Sequence, residues 1–215
     1  MIYDLSRYHL SESVDEWVRK MLDDMAHEGW SVTPGFVSLT DSLRLQAECQ
    51  TSFERGKFHR AGVGKGESFS VRDELRRDHV MWMGDNGSSP EQLLWLAKLE
   101  LLRVALNQQF FLGLFAYDGH FAIYPNGGFY QAHLDRHAGT NDRIVTVILY
   151  LNEHWQTGDG GELKLYTTAG EKTGAFQLVE PRMGTMVCFF AGDYWHEVLP
   201  ANKTRMSITG WFRQS

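Results

Sequence analysis

The order of helical and strand patterns along the chain predicts an α+β fold, in which N-terminal helices buttress a double-stranded β-helix, or jelly roll. Residues 1–110 contain three helical patterns, whereas residues 111–213 contain short runs rich in β-branched and aromatic residues, separated by Gly, Asn, Asp and Pro. Helices followed by a dense series of strands are typical of helices packed on a sandwich or jelly roll. The 215 residues fit a single domain, with mainly helical support in 1–110 and the jelly-roll core in 111–213.

Composition and charge argue against several classes of protein. Hydrophobic residues make up 43% of the chain and aromatic residues 13%, which indicates a packed core rather than a disordered chain. The net charge of −6 argues against a nucleic-acid-binding surface. The chain has neither the apolar segment of a secretory signal at its start nor a run near the roughly 20 apolar residues of a membrane span. We therefore predict a cytoplasmic protein with no membrane or nucleic-acid partner.

Two helical patterns precede a long loop. A capping-box pattern at residues 13–16 begins the first helix, and Gly29 is predicted to end it. Residues 30–39 are predicted to be extended, and residues 41–53 to form the second helix. Residues 54–79 contain four glycines and no sustained period, which predicts a long mobile loop. Such loops often act as lids in compact domains, and a solvated surface excursion is the alternative.

A short strand and a third helix come before the main series of strands. Residues 80–83 are predicted to form the strand, and Ser89 to cap a helix that continues to about Gln109. The apolar residues assigned to the core from this helix are Leu93, Leu94, Leu96, Ala97, Leu101, Val104 and Ala105. The strand-like runs that follow lie within residues 110–125, 142–152, 160–166, 184–190 and 206–212.

Two histidines and one aspartate have the spacing of metal ligands. His133 and Asp135 are two residues apart in a strand-like segment, so both side chains can point to one face. His196 would come from a distant strand that the jelly roll brings close. Two imidazoles and one carboxylate form the facial triad of non-haem Fe(II) oxygenases, which leaves coordination positions for a keto acid and O2. Structural zinc sites instead fill all four positions, usually with cysteine.

Other histidines compete with this assignment, because a lone His-x-Asp pattern is common by chance. His120 follows Asp118 in the reversed order, and His137 lies two residues beyond Asp135, where a turn is expected. We interpret His137 as a solvent-exposed residue or one that supports the ligands. The histidines interpreted as ordinary surface or hydrogen-bonded residues are His9, His27, His59, His79 and His154. The glycine-rich turn that leads directly into His133 favours the triad over these alternatives.

An arginine and a tyrosine suit the far carboxylate of 2-oxoglutarate. A hairpin turn centred on residues 200–201 would place Arg205 opposite His196 on the same face. Arginine offers a planar, bidentate and permanently charged partner for a carboxylate, and a surface arginine is the alternative. Tyr150 supplies the one hydroxyl in the otherwise apolar strand segment 148–152 and could bind the same carboxylate, although an ordinary core tyrosine is equally compatible with the pattern.

Four motifs together resemble a known family. The pattern Tyr-Pro-x-Gly-Gly-x-Tyr-x-x-His-x-Asp at 124–135, Tyr-Leu-Asn at 150–152, Gly-Gly-Glu-Leu at 160–163, and His196 with Arg205 resemble the 2-oxoglutarate- and Fe(II)-dependent prolyl hydroxylases. The likeness is greatest to the hypoxia-sensing prolyl hydroxylases and their bacterial relatives, and it extends over residues 71–212.

The resemblance implies roles for individual residues. Its iron ligands would be His133, Asp135 and His196, and its residues for the co-substrate carboxylate would be Arg205 and Tyr150. Tyr124 would lie in the same pocket, and Thr209 and Trp211 would line the active site. The resemblance also implies that the 54–79 loop closes over substrate, and that its return to the sheet carries Arg72, Asp78 and Trp82.

The implied reaction is hydroxylation of a prolyl residue in a protein, with Fe(II), 2-oxoglutarate and O2 required and with succinate and CO2 as co-products. Ascorbate is a further candidate cofactor, and the bacterial relatives suggest a component of the translation apparatus as substrate. One alternative is a hydroxylase for a small molecule or free amino acid. Another is a non-catalytic jelly-roll binding module. A cupin-type metal protein is less favoured, because the chain lacks the His-x-His and nearby Glu that cupins usually carry.

Overall fold

The computed structural model describes residues 13–64, 70–84, 87–136 and 143–214, with only the backbone for residues 13–15. The helices in these ranges are α1 (Ser13–Glu28), α2 (Leu39–Glu54) and α3 (Pro90–Phe110). The strands are β1 (Trp30–Thr33), β2 (His59–Arg60), β3 (His79–Trp82), β4 (Ala116–Tyr124), β5 (Tyr130–His133), β6 (Arg143–Tyr150), β7 (Leu163–Tyr166), β8 (Phe176–Val179), β9 (Met186–Phe190), β10 (His196–Val198) and β11 (Arg205–Arg213).

The strands form two antiparallel sheets that face each other. The larger sheet has the order β1-β9-β6-β11-β4-β3-β2, and the smaller sheet has the order β5-β10-β7-β8. From β4 onward the chain passes repeatedly from one sheet to the other, which is the connectivity expected of a jelly roll. The predicted α+β jelly roll with supporting helices is therefore confirmed.

Side-chain alternation along β6 shows how the larger sheet separates two cores. Val145, Val147 and Leu149 pack with the helices on one face. Ile148 and Tyr150 pack with the smaller sheet on the other face. Because successive strand residues point to opposite faces, one apolar strand serves both layers. The helices therefore hold the larger sheet from behind and leave its inner face free to line a site.

The helix termini follow local sequence signals. Gly29 has a φ of 77° and donates its backbone N–H to the Met25 carbonyl at 3.1 Å, which ends α1 as predicted. Ser89 accepts a hydrogen bond from the backbone N–H of Gln92 at 3.0 Å and caps α3. The capping role predicted for Ser13 concerns a side chain outside the described residues. Within the described ranges, no helix combines the length and hydropathy needed to cross a bilayer.

The predicted core face of α3 was largely wrong. Of the predicted residues only Ala97 is fully buried, and Val104 is 40% exposed. The most deeply buried large residues of the helix are Trp95, Leu99, Leu102 and Leu106. Apolar residues occur on every side of α3, so helical spacing alone does not identify one face. Packing against α1, α2 and the larger sheet selects it.

Segments between the helices also differ from the prediction. Residues 30–39 are not extended throughout, because the strand ends at Thr33 and α2 already begins at Leu39, with Ser38 as its cap. Residues 54–79 are not without regular structure, since they contain β2 and a bridge between Val63 and Ser70. Residues 65–69 of this loop lie outside the described residues, and its predicted mobility stays a prediction.

Candidate metal centre and active site

His133 and His196 are directly opposed across the antiparallel pair of β5 and β10 in the smaller sheet. Their ring centroids are 4.3 Å apart. Asp135 follows β5 two residues after His133, as the strand spacing predicted. The ligand atoms of the three side chains all lie within 4.8 Å of one another, which is close enough to hold one metal ion. Strand register thus brings His196 beside His133 and the nearby Asp135, from which it is remote in sequence.

The imidazoles are held with their Nε2 atoms toward the carboxylate. His133 Nε2 lies 3.5 Å from Asp135 Oδ1, and His196 Nε2 lies 3.5 Å from Asp135 Oδ2. On the opposite side of each ring, Nδ1 lies 2.8 Å from the Gln131 carbonyl in His133 and 3.1 Å from the Tyr194 carbonyl in His196. A carbonyl partner requires the proton on Nδ1 and leaves Nε2 as a free lone pair.

The surroundings of His196 and Asp135 keep these two ligands in metal-binding protonation states. Burial lowers the pKa of His196 to about 4, so its imidazole is neutral at neutral pH. Burial opposes ionisation of Asp135, but its interactions with His196 and His133 outweigh that effect and hold its pKa below the usual range. Thr146, on β6 of the larger sheet, also donates a hydrogen bond to Asp135 Oδ2 at 2.8 Å. A divalent metal needs these states, a neutral imidazole and an ionised carboxylate.

A cavity of about 570 Å³ opens between the sheets beside this cluster. Its walls include the three candidate ligands together with Tyr124, Arg205, Thr209 and Trp211. Arg205, Thr209 and Trp211 alternate along β11 and therefore share one face of the larger sheet. The structure thus brings the sequence-predicted residues around one cavity, except Tyr150, which is fully buried and does not line it.

The deep end of the cavity fits a carboxylate. Arg205 is 1% exposed; its Nε donates to the Gly161 carbonyl at 2.9 Å and its Nη1 to Ser207 Oγ at 3.3 Å. Within the described residues, Nη2 of Arg205 makes no hydrogen bond, and the buried Tyr150 hydroxyl has no partner either. The Arg205 Cζ lies 5.1 Å from the Tyr150 ring centroid and 4.9 Å from that of Tyr124. A buried arginine with a free donor normally has an acidic partner.

The hairpin that predicted the place of Arg205 does not form. Strand β10, which carries His196, pairs with β5 and β7, whereas β11, which carries Arg205, pairs with β4 and β6. The partner of Arg205 across the strands is Tyr124. The segment at 199–204 therefore crosses between the sheets. Arg205 and His196 reach the same cavity from opposite walls, because a jelly roll closes its two sheets over one interior.

The returning limb of the 54–79 loop, its last residues before β3, contacts His133 through Tyr130. The sequence did not predict this contact. Arg76 forms a two-point ion pair with the buried Asp78, at 2.6 and 2.7 Å. Its Cζ lies 4.1 Å from the centroid of the Tyr130 ring, and Tyr130 stacks on His133 with 3.7 Å between centroids. Tyr130 belongs to the glycine-rich motif, but no local pattern marks Arg76.

Of the residues placed by resemblance at the loop's return, Trp82 lines the cavity and Asp78 holds Arg76. Arg72 does neither, because it is about half exposed and pairs with Glu74. His120, set aside as a metal ligand, is buried and also lines the cavity. His137 lies outside the described residues.

The fold and this site are those of a jelly-roll oxygenase of the non-haem iron class. Residues 119–213 match the model of the 2OG-Fe(II) oxygenase superfamily. Human prolyl hydroxylase EGLN3 is 30% identical over 176 residues, which cover 78% of this chain and 69% of the human protein. A crystal structure of a Pseudomonas putida prolyl-4-hydroxylase is 40% identical with a TM-score of 0.83, and the match covers 91% of this chain and 98% of the other. The chain belongs to the prolyl hydroxylase family of 2-oxoglutarate- and Fe(II)-dependent oxygenases.

The extent of these matches differs between relatives. Hypoxia-inducible factor prolyl hydroxylase of Caenorhabditis elegans is 29% identical over 198 residues, which are 86% of this chain but 26% of the worm protein. The chain also spans 44% of human Egl nine homolog 1. Much of the length of these relatives therefore lies outside the region shared with this chain.

Proposed function

We propose that this chain hydroxylates a prolyl residue of a protein substrate, consuming 2-oxoglutarate and O2 and producing succinate and CO2. The observation that carries the proposal is that one cavity holds both a three-residue cluster able to bind a metal and a buried arginine, Arg205, that has no carboxylate partner among the described residues. One group holds a metal and the other a carboxylate, and 2-oxoglutarate is the keto acid that connects two such sites. Membership of the prolyl hydroxylase family supports proline as the oxidised residue.

In this proposal His133, Asp135 and His196 hold Fe(II), which when bound supplies the activation of O2 for decarboxylation of the keto acid and oxidation of a C–H bond. Arg205 holds the far carboxylate of 2-oxoglutarate, with the Tyr150 and Tyr124 hydroxyls beside it. The Thr146 hydroxyl keeps one carboxylate oxygen of Asp135 oriented. Apart from Asp135, which follows β5 by two residues, these groups lie on sheet strands, so they are held in place before the co-substrate binds.

Thr209 and Trp211 line the part of the cavity that lies along β11 away from Arg205, where we place the substrate residue. Ala61 and Gly62, from the loop after β2, also line the cavity. A loop at this position can exclude water once the substrate is bound. A cavity of about 570 Å³ leaves room for a substrate side chain beside the keto acid. Ascorbate binding, a translation component as the substrate and a cytoplasmic location stay predictions from the sequence.

Two measurements test this function. Anaerobic titration with Fe(II) and 2-oxoglutarate should produce a visible metal-to-ligand charge-transfer band that His133→Ala abolishes. His154→Ala is the matched control, because His154 is exposed and lies away from the cluster. A library of short proline-centred peptides, incubated with Fe(II), 2-oxoglutarate and O2, should then show a mass increase of one oxygen on proline in a subset of peptides.

The outcomes separate the candidate functions. No band from a folded protein with iron present would contradict the oxygenase function and favour a binding module. A band together with oxidation of free L-proline or another metabolite, but of no peptide, would contradict the protein substrate alone.

A further inference from the structure

His120 is a cavity residue that the proposed chemistry does not use. It lies on β4, opposite Thr209 of β11 and Trp82 of β3. Its imidazole packs beside two indoles, with centroid distances of 4.9 Å to Trp82 and 5.5 Å to Trp211, and the two indoles lie 6.3 Å from each other. All four side chains line the cavity. The ring is therefore fixed by packing, at the end of the cavity away from Arg205.

The imidazole has no hydrogen-bond partner among the described residues. His120 is 5% exposed, its Nδ1 is buried without a hydrogen bond, and its Nε2 makes no hydrogen bond to any described residue. Burial, together with the charges of Arg76 and Arg143, lowers its pKa to about 3, so the ring is neutral. A neutral imidazole has one donor and one acceptor, and burying them unpaired costs free energy that a phenylalanine would avoid.

The surroundings of the ring indicate what it binds. A neutral imidazole packed beside two indoles suits a neutral group that can donate or accept a hydrogen bond, which describes a peptide unit. A charged carboxylate has a better partner in Arg143, whose guanidinium carbon lies 3.5 Å from the Trp211 ring centroid. The carboxylate of a free amino acid would therefore bind Arg143 rather than His120.

We infer that His120 is a specificity-determining residue that hydrogen-bonds a backbone peptide group of the polypeptide substrate next to the oxidised residue. This inference rests on the proposed function and names how the same cavity distinguishes a peptide from a free amino acid. Thr209 and Trp82 lie opposite His120 on the two neighbouring strands and hold its imidazole in an orientation that faces the cavity.

The test uses the peptide most strongly hydroxylated in the library above. Its affinity is measured for protein loaded with Zn(II) and 2-oxoglutarate, which does not turn over. His120→Phe keeps an aromatic ring beside the indoles but removes both nitrogens, and should weaken peptide binding roughly tenfold. The affinity for 2-oxoglutarate should not change. His120→Gln restores a neutral donor and acceptor and should recover part of the affinity.

His79→Phe is the matched control. His79 also has a buried Nδ1 without a partner, but it does not line the cavity. This variant should bind the peptide as the wild type does. In the wild type, the ¹⁵N signals of the His120 ring, identified by their loss in His120→Phe, should shift when peptide is added, because a hydrogen bond forms at the ring.

Equal peptide affinity in His120→Phe, with unmoved ring signals in the wild type, would overturn the inference and leave the oxygenase function standing. A wild-type protein that hydroxylates no peptide in the library would instead overturn the protein substrate, and the inference with it.

Discussion

The guanidinium of Arg76 lies over the ring of Tyr130, with its Cζ 4.1 Å from the ring centroid. Tyr130 in turn stacks on His133, with 3.7 Å between the ring centroids. A residue of the loop's returning limb thus contacts a candidate metal ligand through one aromatic ring. Arg76 itself is held by Asp78, whose side chain is fully buried.

Replacing Arg76 with alanine should weaken both folding and metal binding. The change leaves Asp78 buried without its cation, which is expected to cost about 3 kcal/mol or more of unfolding free energy. It also frees the ring that packs on His133, so we expect metal affinity to fall about tenfold. Urea denaturation and competitive metal titration measure the two effects. Arg72→Ala, which removes an exposed arginine of the same limb, should match the wild type in both.

Thr146→Val should weaken metal binding without disturbing packing. Valine has nearly the shape of threonine but cannot donate a hydrogen bond to Asp135 Oδ2. Outer hydrogen bonds of this kind typically change metal affinity about 10- to 100-fold. The measurement is Fe(II) affinity under anaerobic conditions. Thr51→Val, at an exposed position of α2, is the control. Unchanged affinity in Thr146→Val would mean that the hydroxyl does not orient the ligand.

Gly161→Ala should impair binding of 2-oxoglutarate and leave metal binding intact. A Cβ at Gly161 would lie 3.1 Å from Arg205 Cδ and so displace the side chain that Gly161 anchors through its carbonyl. We expect about tenfold weaker keto-acid affinity, or about 1.4 kcal/mol.

Gly158→Ala is the matched control for this change. Gly158 also has a positive φ, of 98°, but a Cβ there would meet nothing within 4 Å. Both variants bear the cost of a left-handed alanine, on the order of 1 kcal/mol of stability. Equal keto-acid affinities in the two variants would show that Gly161 acts only through backbone conformation.

Two buried histidines should make the metal-free protein less stable in mild acid. Burial lowers the pKa of His120 to about 3 and that of His196 to about 4, below the ordinary value of roughly 6.5. Between these values and pH 6.5, the unfolded chain binds protons that the folded chain does not, so stability decreases as the pH falls. From pH 6.5 to 5 the loss should be about 2 kcal/mol for each histidine.

Urea unfolding at the two pH values measures this loss. His120→Phe should remove about half of the decrease contributed by the pair. If the variant and the wild type lose the same stability over this interval, His120 titrates normally in the folded protein and the burial argument is wrong.

The observed face of α3 gives a simple stability test. Leu102 is fully buried, and Leu102→Ala should lower the unfolding free energy by about 2–5 kcal/mol. Val104, assigned to the core from the sequence, is 40% exposed, and Val104→Ala should change the unfolding free energy by well under 1 kcal/mol. Thermal or chemical denaturation of the two variants decides between the sequence-based face and the observed one.

Local patterns in the sequence determined the features that depend on neighbouring residues. The two-residue period of a strand put His133 and Asp135 on one side, Ser89 marked the start of α3, and Gly29 marked the end of α1. Each follows from backbone geometry or from hydrogen bonds within a few residues. The ligand set and the fold class could therefore be predicted before any long-range contact was known.

Only the tertiary structure decided which strands meet and which surfaces are buried. It placed His196 and Arg205 in opposite sheets, where a hairpin had been predicted, because pairing over long sequence distances depends on how the whole chain closes its core. It selected one face of α3, a helix with apolar residues on every side, and brought Arg76 onto Tyr130. It also packed His120 beside two indoles contributed by separate strands. Such contacts join residues that share no local pattern, so their energies appear only when the two sheets and the helices pack together.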